Sequence, residues 1–196
     1  MTTIAMPATP KPQTMAWRLM MPTQANISSW TGRRQVVASG RGWWECQFQL
    51  PPIVGSSNIN AWRAFIALAR GTANDFNVPV DPTAQSALAN TVSTNGVDQV
   101  GRNIATDGWP VSTTVLQAGQ FVTINDQLLQ VTANVTSNGS GQATIAVEPP
   151  VRQPITDNSS VEYKNPYCKM YLVEEPNLSV EAGYVYSLAL NLREAF

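Results

Sequence analysis

The chain has 196 residues, with 12 Lys and Arg against 13 Asp and Glu, for a formal net charge of −1. Hydrophobic residues make up 43% and charged residues 13%, so Ser, Thr, Asn and Gln carry most of the polarity and charge-driven disorder is excluded. No broad field draws nucleic acid or an anionic membrane, and the absence of histidine removes Ser–His–Asp, Cys–His and imidazole–zinc chemistry.

Residues 1–14 carry Pro7, Pro10 and Pro12 without periodicity and read as an extended arm or a frayed terminus. They hold no apolar stretch of signal-peptide length, so the chain is expected to be made and kept in a cytoplasm unless something carries it out. Nowhere does an apolar run approach the roughly 18 residues of a membrane span. From Met15 the pattern turns to strand. Trp17, Leu19 and Met21 alternate with Arg18 and Met20, and Gln35–Ala38 is a short strand candidate. The clearest strand is Trp43–Leu50, with Trp44, Cys46, Phe48 and Leu50 on one face and Trp43, Glu45, Gln47 and Gln49 on the other. Pro51-Pro52 ends it, since neither residue can donate to a ladder.

One helix follows, over about 58–70. Ile59, Trp62, Phe65, Ile66 and Ala69 recur at helical spacing, Ser57 or Asn58 can cap it, and Gly71 stands at the expected stop. At about 12 residues such a helix is marginal alone, so its stripe must dock on a sheet. Residues 72–111 have no strong period and read as loop, short strands and a crossing connection. Over 112–152 short β runs at Val115-Leu116, Phe121–Ile124, Leu128–Val131, Ala133–Val135 and Ala143–Val147 alternate with turn sequences. This predicts a small antiparallel β-barrel closed off by Pro149-Pro150. It is an insert, because strand patterns resume at Ser160–Glu162, Cys168–Leu172 and Tyr184–Leu192. The fold expected is therefore mainly β: a main domain over 15–111 and 153–196 with one packed α-helix, and a small inserted barrel over 112–152.

No catalytic constellation emerges. Glu174 and Glu175 are adjacent and would face opposite ways in a strand, while Asp75, Asp81, Asp98, Asp107 and Asp126 fall in expected loops, where turn formation accounts for them. Calcium and phosphate loops are missing, so no metal, cofactor or catalytic residue is assigned. Cys46 and Cys168 are far apart; buried thiols are the simpler reading and a disulfide the other. Arg33, Arg34 and Arg41 bracket a short strand, as phosphate ligands or as solvated or interface arginines. Trp43 and Trp44 are consecutive, so one of them leaves the core face, either to pack beneath Trp62 or to meet a partner. Trp and Arg dominate protein–protein hot spots, and Trp30, Arg33, Arg34, Arg41 and Trp43 are the candidate subunit-interface residues.

The order of features carries a resemblance. Ser28-Ser29-Trp30-Thr31-Gly32 and Gln35 precede Gly42-Trp43-Trp44-Glu45 and Leu50-Pro51-Pro52. Then come Ala61-Trp62-Arg63-Ala64-Phe65, Leu68-Ala69-Arg70-Gly71, Phe76 and Asp81-Pro82. Later stand Val115-Leu116-Gln117-Ala118-Gly119-Gln120-Phe121, Leu128-Leu129-Gln130-Val131-Thr132, Gly139-Ser140-Gly141-Gln142-Ala143 and Glu148-Pro149-Pro150-Val151-Arg152. Over roughly 17–192 this resembles the distal tail or tail-tip (baseplate) proteins of long-tailed bacteriophages and prophages. The resemblance implies that the main domain is a β-sandwich carrying the inserted small β-barrel, in a non-enzymatic virion protein made in the bacterial host cytoplasm and working as a homo-oligomeric, usually hexameric, ring. Its implied partners are identical subunits, the tail tube protein, the tip hub and fibre proteins, with no nucleic acid and no membrane. The arm 1–14 or the stretch 72–111 is then expected to lie across the neighbouring subunit. The alternatives are a tube or completion protein, and a host-glycan-binding β-sandwich using Trp30 or Trp43.

Overall fold

Alternating residues become strands along nearly half of the chain, 48% of which is strand and 7% helix. A computed structural model describes residues 2–38 and 40–196; Met1 of the expected arm and Ser39 of the expected main domain lie outside them. In order, the elements begin with β1 (Thr3–Ile4), β2 (Thr14–Met20), β3 (Thr23–Ile27), β4 (Arg34–Ala38), β5 (Trp43–Gln49), β6 (Ile53–Val54), α1 (Ser56–Ala69) and β7 (Asp75–Pro79). Next come β8 (Ser93–Thr94), β9 (Gln99–Asp107), β10 (Thr114–Leu116), β11 (Phe121–Ile124), β12 (Gln127–Val131), β13 (Val135–Thr136) and β14 (Ala143–Ile155). The chain ends with β15 (Tyr167–Leu172), β16 (Leu178–Glu181) and β17 (Val185–Glu194). The fold is a β-sandwich with one helix.

The main sheet runs β1-β7-β15-β17-β5-β2, with β6 and β16 also pairing β17. Its centre is set by the two clearest sequence patterns. Phe48 lies opposite Leu190 and Cys46 opposite Leu192, so the apolar faces of β5 and β17 coincide. Helix α1 covers that face with the stripe Ile59, Trp62, Phe65 and Ala69, all buried. The Trp62 ring meets Phe48 and Phe65 at centroid distances of 5.7 Å each, and Phe65 meets Phe76 at 4.8 Å. No side chain caps the helix. Gly55 holds the N-terminal position, and Asn58 Nδ2 instead donates to Val54 O at 2.7 Å. The stop is left-handed at Arg70 (φ 51°) and Gly71 (φ 64°).

The arm is seated on its own chain. Strand β1 pairs in parallel with β7, Trp62 Nε1 donates to Thr9 O at 3.1 Å, and Lys11 Nζ donates to Pro82 O at 3.0 Å. Residues 72–111 likewise supply β7, β8 and β9 to this chain. Gln85, between them, donates to the carbonyls of Phe121 and Tyr163 and accepts from the Phe121 amide. These local ties satisfy backbone groups that would otherwise be left unpaired.

A second core extends beyond the 112–152 segment, with Val92, Ile104 and Trp109 before it and Ile155, Val161 and Tyr163 after it. The five-stranded sheet β11-β12-β14-β9-β8 wraps this core, beside the pair β10-β13. Isolated bridges Ser93↔Ser160 and Thr123↔Glu162 join the two edge strands, β8 and β11, through one short segment. That segment removes the open edges. Strand β9 escapes the sequence pattern because Thr106 fills a core position, its hydroxyl donating to Ala143 O at 2.9 Å. Nor do Pro149 and Pro150 end the barrel strand. Strand β14 continues to Ile155, and the prolines fall where its register with β9 shifts, between Ala146 and Val151. Gly108 (φ 85°) and Gly141 (φ 72°) let backbones close up here. A Cβ at Gly108 would stand 2.2 Å from Thr91 O, and one at Gly141 2.6 Å from Trp109 O.

Candidate interaction surface

Strands β3 and β4 form a two-stranded ribbon that, among the described residues, pairs with no other strand. The register Thr23↔Ala38 through Ile27↔Arg34 puts directly opposed residues on one face. Thr23, Ala25, Ile27, Arg34, Val36 and Ala38 therefore share a largely apolar face, while Gln24, Asn26, Gln35 and Val37 lie on the other. All ten strand positions are exposed. The tip is ordered by its own bonds: Ser28 N donates to Arg33 O and Gly32 N to Ser28 O, each at 2.9 Å. On that tip Trp30 is 97% exposed, and Ile27 below it is 68% exposed. At about 3.4 Å per residue, the five paired rows carry the tip roughly 17 Å from the ribbon's root.

The ribbon continues the hairpin β2–β5, where Met20 faces Trp43. Only Met21 and Pro22 separate β2 from β3, whereas four residues, 39–42, separate β4 from β5. Unequal links of this kind bend a paired ribbon. The five candidate interface residues are thus divided. Trp30, Arg33 and Arg34 sit on the tip or beside it, exposed; Arg41 and Trp43 stand at the root. Arg41 is exposed and already partnered. Trp43 is half-buried. Its Nε1 donates to Glu45 Oε1 at 3.0 Å and the Arg193 guanidinium lies 4.4 Å from its ring centroid. Trp43 therefore does not pack beneath Trp62; Trp44 takes the core face and Trp43 the opposite one. Strand β3 carries no sequence signal of its own, because TQANI lacks a buried-strand composition.

Several carboxylates are tied up structurally. Asp126 accepts from Tyr167 Oη at 2.9 Å and from Lys169 Nζ at 3.1 Å; Glu162 accepts from the amides of Lys164 and Asn165; Glu148 pairs with Arg102. Glu194, missed by sequence reading, is fully buried. It accepts from Arg152 and, at 3.0 Å, from the Trp44 amide. Burial pushes its carboxyl above the ordinary 4.5, while Arg152 and the amides of Trp44 and Leu128 pull it back. Trp44 ties the same place to the barrel, its Nε1 donating to Leu128 O at 2.9 Å and its ring meeting Phe121 edge-on at 5.6 Å. A shallow cleft of about 220 Å³ opens beside this seam, lined among others by Asp75, Asp126, Arg152, Lys169 and Phe196. Cys46 and Cys168 are both free and buried, and burial pushes the Cys46 thiol up to about 12 and Cys168 well above 9.0.

Among the described residues no three His, Cys, Asp or Glu side chains gather as a metal site, and no helix is long and apolar enough to cross a membrane. The arrangement offers a surface for contact: a projecting ribbon with an uncovered apolar face and cations at its tip. The chain's accessible surface, 10955 Å², exceeds the roughly 9,000 Å² that scaling gives a compact monomer of this mass. No family model matches the chain, and no curated protein matches its sequence.

Proposed function

We propose that this chain is a virion structural protein of a long-tailed phage, the distal tail ring subunit that joins tail tube to tip hub, and that the β3–β4 ribbon is its grip on an identical neighbour. The observation that carries this reading is the amphipathic ribbon that, among the described residues, no other strand pairs with and whose every strand position is exposed. A two-stranded ribbon with one apolar face gains stability when a partner covers that face. The ordered resemblance to distal tail proteins supplies the kind of partner, and the low charge of the chain suits self-association. The reading assigns no catalysis and no cofactor.

Light scattering on the purified protein tests it. The expected particle is a closed assembly near six times 21.3 kDa, ring-shaped in negative stain, and Trp30→Ala shifts it toward the protomer. A protein that stays monomeric at high concentration overturns it. An open filament points to a tube protein, since a head-to-tail contact that fails to close propagates. A second reading has the exposed Trp30 stack on a host glycan. Glycan capture lost in Trp30→Ala, with particle mass unchanged, would replace the ring by that reading.

A further inference from the structure

A head-to-tail ring needs a second, different surface on the same chain to receive the ribbon. We infer that this receiver is the edge hairpin over 173–184, built around β16, so that the β3–β4 ribbon of one copy lies against β16 of the next. The inference rests on the ring reading above and goes beyond it by naming the partner surface.

Geometry supplies the first reason. Strand β16 pairs β17 and, among the described residues, no other strand, so its outer edge keeps free N–H and C=O groups. It joins β17 on the edge that β15 also uses, whereas β5 and then β2 extend the sheet from the other edge. Ribbon root and receiver therefore stand on opposite margins of one sheet, as a repeating heterologous contact requires.

Charge supplies the second. Residues 23–38 contain Arg33 and Arg34 and no carboxylate; residues 173–184 contain Glu174, Glu175 and Glu181 and no cation. All five are exposed, and among the described residues none belongs to an ion pair within the chain. The apolar parts match as well. Val180 is 55% and Tyr184 69% exposed on the receiver, against Ile27, Trp30 and Val36 on the ribbon. Ribbon on ribbon would oppose arginines, and receiver on receiver would oppose glutamates. Such like-charge pairing is costly, so two-fold dimers are disfavoured and the head-to-tail contact is selected.

Charge reversal tests the pairing on the full chain, with particle mass as the readout and circular dichroism confirming that each variant is folded. Arg33→Glu with Arg34→Glu, and separately Glu174→Lys, Glu175→Lys and Glu181→Lys, are each expected to raise the concentration needed for assembly about 10–100-fold. Mixed in equal amounts, the two variants restore the wild-type particle, because each ribbon then meets a complementary receiver in an alternating ring. If receiver reversal leaves the mass unchanged, or if the mixture fails to reassemble, the β16 assignment is overturned while the ring reading survives. If the wild-type protein is itself a monomer, both fall.

Discussion

Two hairpin regions of this chain have much in common as sequence and little as structure. Strands β2 and β5 pair over Thr14–Met20 and Trp43–Gln49, and β3 and β4 continue the same hairpin beyond Met20. Along β5 every second residue, Trp44, Cys46 and Phe48, is buried beneath other elements. Along the ribbon the alternation persists at Ala25, Ile27, Val36 and Ala38, yet every position is exposed. The lesson is that alternation prescribes which residues share a face; what covers that face is a separate matter. For β5 the cover is α1 and the barrel. For β3–β4 no described element supplies one.

The contrast can be broken hardest at the seam. Trp44→Ala removes a buried ring and leaves Leu128 O without its donor, so it should cost about 3–5 kcal/mol in denaturant unfolding. Next comes Arg152→Ala, which strands a buried carboxylate at Glu194 and should cost about 3 kcal/mol at neutral pH. Its pH dependence has a definite sign. Glu194 in the folded chain takes up a proton more readily than an ordinary glutamate, so its contribution favours folding at low pH and is lost as the pH rises through its raised pKa. The deficit of Arg152→Ala should therefore be largest near neutrality and shrink on acidification toward the ordinary glutamate range. Denaturant midpoints for variant and wild type at two pH values check it.

A gentler probe sharpens the same boundary. With Cys46 raised to about 12 and Cys168 well above 9.0, neither thiol should be alkylated in the native protein at pH 8, and both should react once denaturant unfolds it. Rapid native labelling of either would mean that the core opens far more freely than its packing implies. The smallest expected effect belongs to the ribbon. Trp30→Ala should leave the unfolding midpoint of the dispersed protomer within about 0.5 kcal/mol of wild type, although it weakens assembly. A large loss of protomer stability would show that the ribbon is folded against its own body.

Sequence alone was enough for the parts whose physics is local. The alternation of Trp43–Leu50, the stripe Ile59, Trp62, Phe65 and Ala69, and the run ending in Leu188, Leu190 and Leu192 each specify an element and its inner face, because periodicity follows directly from backbone geometry. Residue type marks Trp30 and Arg33 as interface candidates; nothing local shows that Arg193 lies over the Trp43 ring. Tertiary structure decided whatever depended on residues distant in sequence. Thr94 and Thr106 sit in the barrel interior because remote carbonyls, Thr156 O and Ala143 O, accept their hydroxyl protons. Glu194 is tolerated in the interior because Arg152 and the Trp44 amide reach it from other strands. The barrel runs past both ends of 112–152 because residues 160–162 return to bridge its edges. None of these pairings leaves a period in the chain, since each is a long-range hydrogen bond or charge pair that comes into being only when the two partners are brought together by the fold.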